Sequence, residues 1–499
     1  MHNIRAAAVV TGLLVVAGVP ASIGVSRSAA GSAPGDDHTD GHLSLVSRAT
    51  PFEADCNGPP LVAAYVNAEV EPYVAINPRN RSNLISVYQE DRYPNDGANG
   101  VLTSVSFDGG RSWAVPPLRQ QPPFSRCAGG NQTNGGDFEK ATDPWVDFGP
   151  TGVAYQAAVS YNDSNWDTAE FVSTSTNGGR SWGKPAAVIR ENIPNVIDDR
   201  PAVTADPTRP RSAYVVWERH VAAPAAVAAG AAWFSRTSDD GATWSTARPI
   251  YRSPAGMQTS ANQIVVLPNG DLLNVFTELG LGTGFDHPRH DRILVIRSSD
   301  GGQSWSGPTT LAQSFVNGVR DPRTNDEVRV GDSFTDVAVD PRPGSATVYA
   351  VWGDAGFTGG GAQQIALSRS TDGGRSWSRP IRVSANAGAQ AFVPSVAVND
   401  AGEVAITYYD FTSDTQSSVA LATDYWITRS TDQGRTWSQR QRVTDRPFDL
   451  RTAPFNHGFF LGEYQGLAGA GRGFAIVATF TNGHNLQDRT DVFALLIDR

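Results

Sequence analysis

A carboxyl group recurs at one kind of place in this chain, just ahead of a short and increasingly apolar segment. Glu71, Asp143, Asp199, Asp332 and Glu463 stand there, with Arg200, Arg329 and Tyr464 beside three of them and Asn262 at an equivalent place. A second polar series closes the partner segments: Glu90-Asp91-Arg92, Glu218-Arg219-His220, Glu278, Asp354 and Asp410. So many ionisable groups at one register suggest a polar funnel of the kind that binds ligands. Cleavage of a glycosidic bond needs two carboxyl groups, one kept protonated by its surroundings and one ionised. Asp143, Asp199, Asp332 and Glu463 are candidates for those roles, and Glu71 and Glu278 for binding around them. The competing reading makes each of these residues a cap or an ion pair tying neighbouring segments together.

The elements that position them repeat. Ser or Thr, Asp two residues on, Gly two after that and Trp three later occur six times, the first copy being Ser106-Phe107-Asp108-Gly109-Gly110-Arg111-Ser112-Trp113. Asn177 replaces the Asp once. The tryptophans are 69, 62, 61, 72 and 60 residues apart. This spacing suits a tight turn between antiparallel strands, where a short hydroxyl and a carboxylate bond local N–H groups and Gly takes a positive φ. Between the turns lie paired short strands, at 73–88, 145–161, 202–217, 263–276, 334–352, 395–409 and 465–480. The last pair is followed only by 491–497, which leaves 61–66 as the spare strand to complete it. The expectation is an all-β chain forming one β-propeller of seven blades, closed between N- and C-terminal strands, with six blades as the alternative. Strand direction alternates within a blade, so the acidic registers fall on the face opposite the repeated turns.

The repeated turn resembles the Asp-box, or bacterial neuraminidase repeat, of the sialidase superfamily. The resemblance implies a propeller whose boxes are structural, lying at outer turns away from substrate. It also implies a secreted glycoside hydrolase acting on a glycan, with an arginine cluster clamping a sugar carboxylate, a Tyr activated by Glu as nucleophile, and an Asp acid. Arg92, Arg200, Arg219 and Arg329 are the residues available for the clamp, and Tyr464 beside Glu463 for the nucleophile pair. This chain lacks a Phe-Arg-Ile-Pro motif before the first box, the matching stretch being Glu71-Pro72-Tyr73-Val74. The rival function is a noncatalytic propeller that binds a glycan or protein partner.

A formal charge of −10 over 499 residues, without a concentrated basic face, argues against a nucleic-acid partner. Residues 1–5 are basic and 6–21 apolar, which reads as a signal peptide within 1–30, followed by a mobile leader (31–55) and the propeller (56–499). The product is then an extracellular monomer with no stable membrane span, an uncleaved anchor being the alternative. Cys56 and Cys127, the two cysteines, are expected to form a disulfide, with two buried thiols as the competitor. His287 and His290, flanked by Asp286 and Asp291, lack a third ligand at fixed spacing and read as an exposed polar loop. No metal and no cofactor are expected.

Overall fold

The structure, a computed structural model, describes residues 41–58, 62–221, 229–280, 289–331, 334–415 and 417–497. All lie in one compact unit, Asp37–Arg499. The expected signal peptide lies outside the described residues. Helix is confined, among those described, to single 3₁₀ turns such as Leu118–Gln120. None is long and apolar enough to cross a membrane.

The chain is an all-β propeller, and its described strands gather into seven antiparallel units, the first two joined in one sheet through Ala98 and Ala141, beside a small mixed sheet of Val319–Arg320, Glu327–Arg329 and Phe459–Phe460. The first comprises Val70–Ile76, Leu84–Arg92 and Ala98–Ser106, extended by a bridge from Val105 to Ala114. The next four begin at Lys140–Phe148, Val196–Ala205, Met257–Val266 and Asp336–Val339, and the sixth at Ala391–Val398. The seventh orders Gly466–Ala470, Gly473–Thr481, Thr490–Ile497 and Ser44–Leu45. Each first strand is tied to the next. Tyr73 stacks on Trp145 at 3.8 Å, Asp147 accepts from the Ala205 N–H at 2.9 Å, and Thr204 donates to the Ile264 carbonyl at 2.7 Å. Gln263 accepts from Val337 N–H, Asp336 from Val396 N–H, and Ser395 donates to the Gln465 carbonyl. The Glu463 N–H donates to Glu71, which returns the circuit to the first unit.

The closing strand differs from the expectation. Ser44 and Leu45 pair with Ala494 and Phe493, so the N-terminal strand that completes the last sheet is not 61–66. Tyr65 instead bridges Arg92, and Val66 is exposed. The ring therefore takes in residues assigned to a mobile leader: Val46 and Ser47 are fully buried, and Ser47 Oγ donates to Asp491 at 2.7 Å. A two-residue strand carries no periodicity to read. Cys56 and Cys127 form the expected disulfide, with Cα atoms 5.1 Å apart.

The six repeated turns share one hydrogen-bond pattern. In the first, the Gly110 N–H donates to Ser106 Oγ at 2.8 Å, while Asp108 accepts from the Ser112 N–H at 3.0 Å and hydroxyl at 2.5 Å. Asn177 preserves the turn, accepting from Ser181 N–H and donating to its hydroxyl. Gly179 has φ 86°, and an added Cβ would meet Val105 of the first unit at 2.7 Å. Both the backbone and the packing there demand glycine.

These turns make stability depend on acid. Burial works to raise Asp108 and Asp372, but bonds from Ser112, Ser376 and their N–H groups outweigh it and hold both at about 2. At Asp239 the Thr243 hydroxyl leads to the same value. A carboxylate lowered from 3.8 to about 2 in the folded state favours folding above about pH 4, and that contribution disappears as pH falls toward 2. Melting temperature should accordingly drop between about pH 4 and pH 2, and Asp372→Asn should flatten the drop, as circular dichroism melts would record. Asp147 and Asp336, pushed up to about 6 by burial, act in the opposite sense, their contribution declining as pH rises from about 4 to 6.

Candidate functional site

Most first strands open on a bulge. Register shifts fall between Val70 and Tyr73, Thr142 and Trp145, Asp199 and Ala202 (opposite Glu218 and Val216), Ser260 and Gln263, and Phe392 and Ser395. At each one a non-glycine residue takes left-handed backbone: Glu71 (φ 54°), Asp143 (54°), Arg200 (51°), Ala261 (55°) and Val393 (49°). Such a conformation costs about 1–3 kcal/mol per residue and persists where the surroundings dictate it. A bulge removes one residue from the ladder and re-aims its side chain. Pro72, Pro144, Pro201 and Pro394 follow four of these residues, and their missing N–H suits a broken ladder. Recurrence of proline at that register was the readable sequence signal.

Glu463 is the hub, its side chain 3% exposed. Arg329 Nε donates to its Oε1 at 3.0 Å and Arg200 pairs with its Oε2. Arg200 also donates to Glu218 at 2.8 Å and to Ser260 at 2.9 Å. Arg329 continues to Asp96 at 2.5 Å and Asn456 at 3.0 Å. Arg92 donates to Gln89 at 2.6 Å, and Gln89 in turn donates to Glu71 and lies 3.4 Å from Asp143. Arg92 and Arg329 both lie over the Phe460 ring, at 4.7 and 4.9 Å. An Asp199 oxygen lies within 4.8 Å of a Glu218 oxygen.

The electrostatics divide these carboxyl groups. Burial raises Glu463, but Arg200 and then Arg329 outweigh it and leave the group below the usual range. Burial first, then the charge of Asp143, pushes Asp199 well above the usual range. The same two causes, with Glu463 added, raise Glu71. One ionised carboxylate thus sits among carboxyl groups held toward the protonated form.

The structure brings Glu71, Arg92, Asp143, Asp199, Arg200, Arg329 and Glu463 together, Arg329 by a route other than the one anticipated. It lies on Glu327–Arg329, which pairs antiparallel with Val319–Arg320 and parallel with Phe459–Phe460, rather than at the start of a first strand. Asp332 lies outside the described residues. Tyr464 is 5% exposed and donates to the Pro144 carbonyl at 3.0 Å, while Glu463 is engaged by arginines, so no Glu–Tyr hydroxyl pair is assembled. Burial raises the phenol well above its usual value. Its ring instead packs with Tyr73, Trp145 and Phe334. Arg219 is taken by Asp198 and Glu191 and lies over Trp233, and Glu278 is bonded to Arg292 and Tyr251. Asp354 and Asp410 bond locally, to Trp352 and Gly356 and to Arg440 and Trp426. Gln89, Thr142, Asp96 and Ser260, which connect the charged groups, were not anticipated.

Asp143, Arg200 and Asn262 line a narrow recess, with room of only about 10 Å³, whose wall includes Trp145, Phe334 and Tyr464. Oxygen or nitrogen atoms of Asp199, Glu218 and His220 lie within 4.8 Å of one another, a spacing that a cation could bridge, but Arg200 already supplies a positive charge to Glu218. His290 stacks on Phe315 at 4.7 Å within the strand Arg289–Ser298 rather than in a loop. His287 lies outside the described residues.

No protein-family model and no curated protein sequence matches this chain. Solved structures similar to it include a Hadza microbial sialidase, at 15% identity and TM-score 0.44, covering 83% of this chain and 75% of that one. The α-L-arabinofuranosidase Arb93A of Fusarium graminearum, complexed with an iminosugar inhibitor, is 11% identical at TM-score 0.44, covering 93% and 98%. A PL25 ulvan lyase is 10% identical at TM-score 0.43, covering 80% and 79%. At these values the likeness does not extend to activity.

Proposed function

We propose that this chain is an exported glycoside hydrolase, its seven strand units acting as seven blades around the Glu463 centre. The observation that carries the reading is the split between Glu463, held ionised by two guanidiniums, and Asp199, pushed toward its protonated form beside Asp143. Asp199 donates the proton to the leaving oxygen, Glu463 supplies the negative charge that a developing oxocarbenium ion needs, and water adds to that ion and returns a proton to Asp199. Asp143, Arg200 and Asn262 border one recess too narrow for a whole sugar ring, so they would bond hydroxyls presented at its mouth. Carboxyl groups outnumber arginines here, and Glu463 already spans Arg200 and Arg329. That favours a neutral sugar over the acidic one implied by the sialidase resemblance. The disulfide fits export to an oxidising compartment.

The test is a panel of aryl glycosides that includes a sialoside. Turnover of a neutral glycoside is expected, with kcat/KM lowered about 10²–10⁴-fold in Asp199→Asn and melting little changed. Clean protein that cleaves nothing, or an Asp199→Asn variant of full activity, would sink the assignment. The second reading, a noncatalytic glycan-binding propeller, draws on the engagement of both Glu463 oxygens by arginine. Retention on a glycan array without cleavage would favour it.

A further inference from the structure

A second set of carboxylates gathers where the ring closes, without an ion-paired arginine. Glu69 precedes the first strand, Glu90 and Asp91 end the second, and Asp488 and Asp491 flank the start of Thr490–Ile497. One oxygen from each of Glu69, Asp488 and Asp491 lies within 4.8 Å of the others. Among the described residues no Arg, Lys or His is ion-paired with any of the five; the nearby Arg489 lies over the Tyr65 ring and donates to the Thr452 carbonyl, its Nε reaching no acceptor. Hydrogen-bond donors satisfy only part of the set. Ser47 and Asn482 serve Asp491, Asn482 serves Asp488, and Thr50, Asn67 and Asn99 serve Asp91.

Glu69 and Glu90 are different. Glu69 is 1% exposed with Oε2 unpartnered, and Glu90 is 0% exposed with neither oxygen hydrogen-bonded to a donor. Glu90 adjoins Asp91 at the end of the second strand, and burial, then the charges of Glu69 and Asp91, raise it well above its usual range. Burying unpaired carboxylates side by side is strongly unfavourable unless a cation compensates them or they hold protons. Hard carboxylate oxygens without nitrogen or sulfur select Ca²⁺ or Mg²⁺ among common ions. Two oxygens bound to one Ca²⁺ at 2.3–2.6 Å can be at most about 5 Å apart, which accommodates the observed spacing. Mg²⁺ dehydrates reluctantly and is seldom held by an all-protein cage. Asp488 and Asp491 are half-buried, giving an ion a way in.

We propose that Glu69, Asp488 and Asp491 bind one Ca²⁺ at the seam, with Glu90 adding charge from behind, so that the ion joins the first strand unit to the last. This site is independent of the hydrolytic centre. To test it, full-length protein stripped with EGTA is titrated with CaCl₂ at neutral pH, following bound calcium by atomic absorption and unfolding by calorimetry. One Ca²⁺ per chain is expected, and millimolar Ca²⁺ should raise the melting temperature by about 3 °C or more, with a smaller response to Mg²⁺. Asp488→Asn, at a half-exposed position that should still fold, should weaken calcium binding at least tenfold, and Glu69→Gln should abolish the melting shift. No bound calcium and an unchanged melting curve would overturn the proposal in favour of protonated carboxyl groups. Loss of the bound ion in His220→Ala but not in Asp488→Asn would overturn it in favour of the Asp199–Glu218–His220 cluster.

Discussion

Arg200→Met should lower both turnover and melting temperature steeply. Arg200 is 17% exposed and holds two carboxylates that are almost fully buried, Glu218 at 0% and Glu463 at 3%. Removing one partner of a buried pair typically costs about 3–5 kcal/mol, because the remaining charge is left uncompensated. The effect on activity has a signature beyond instability. Arg200 is first among the groups that hold Glu463 below its usual range, so without it Glu463 titrates at higher pH. The acid limb of the pH–rate profile, measured on a substrate from the glycoside panel, should therefore move upward, with kcat/KM lowered at least about 100-fold. Arg200→Lys should not rescue, since one ammonium cannot reproduce bonds made by both terminal nitrogens to Glu218, Ser260 and Glu463. Arg219→Met is the control. It breaks the bonds to Asp198 and Glu191, and should cost stability while leaving the acid limb in place. An Arg200→Met enzyme within tenfold of the parent and with an unmoved acid limb would refute the role given to Glu463.

A chain beginning at Phe52 should be far less stable than one beginning at Gly41, and should aggregate on heating. It lacks the pairing of Ser44 and Leu45 with Ala494 and Phe493, the Val46 N–H bond to Val492 at 2.8 Å, and the Ser47 bond to Asp491. It also lacks the fully buried Val46 side chain. One buried Val contributes about 1.5–3 kcal/mol and each hydrogen bond about 0.5–1.5 kcal/mol, so a loss of several kcal/mol is expected. Thr490–Ile497 is left as an open edge, and such edges invite pairing between molecules. Calorimetry with light scattering compares the two chains directly. Equal melting of both would place the closure elsewhere.

Strand positions and the shared turn were legible because both rest on local chemistry. Trp113 and its five counterparts mark turns that the Ser, Asp and Gly around them can build alone. The charged centre was legible only as a register. That Glu71, Asp143 and Arg200 stand before proline was visible, but their left-handed backbone depends on neighbouring strands that no local pattern encodes. Alternation therefore misassigned the ends of second strands: Arg92 reaches the centre, whereas Glu90 and Asp91 turn to the seam, with Asp91 itself at φ 60°. Arg329 escaped correct placement because its strand has three residues and pairs with a segment about 130 residues later. Arg219 and Glu278 were chosen by charge and by their register at the ends of second strands, yet each had a nearer partner. Tyr464 was chosen by resemblance, and packing gave it a carbonyl instead of a carboxylate.

The strand that finishes the last sheet is among the first described parts of the chain, and this sets an order of events. Ser44 cannot find Ala494 until about 450 further residues have been made, so the ring stays open until then. Joining ends that far apart costs roughly 2 kcal/mol more loop entropy than closing a 30-residue hairpin. Contacts this remote in sequence also slow folding. Local units should form early and wait, each exposing a first strand not yet tied to its neighbour, until the C-terminal strand arrives. A chain that loses even its last eight or nine residues would thus never leave that waiting state, whatever the health of the six units before it.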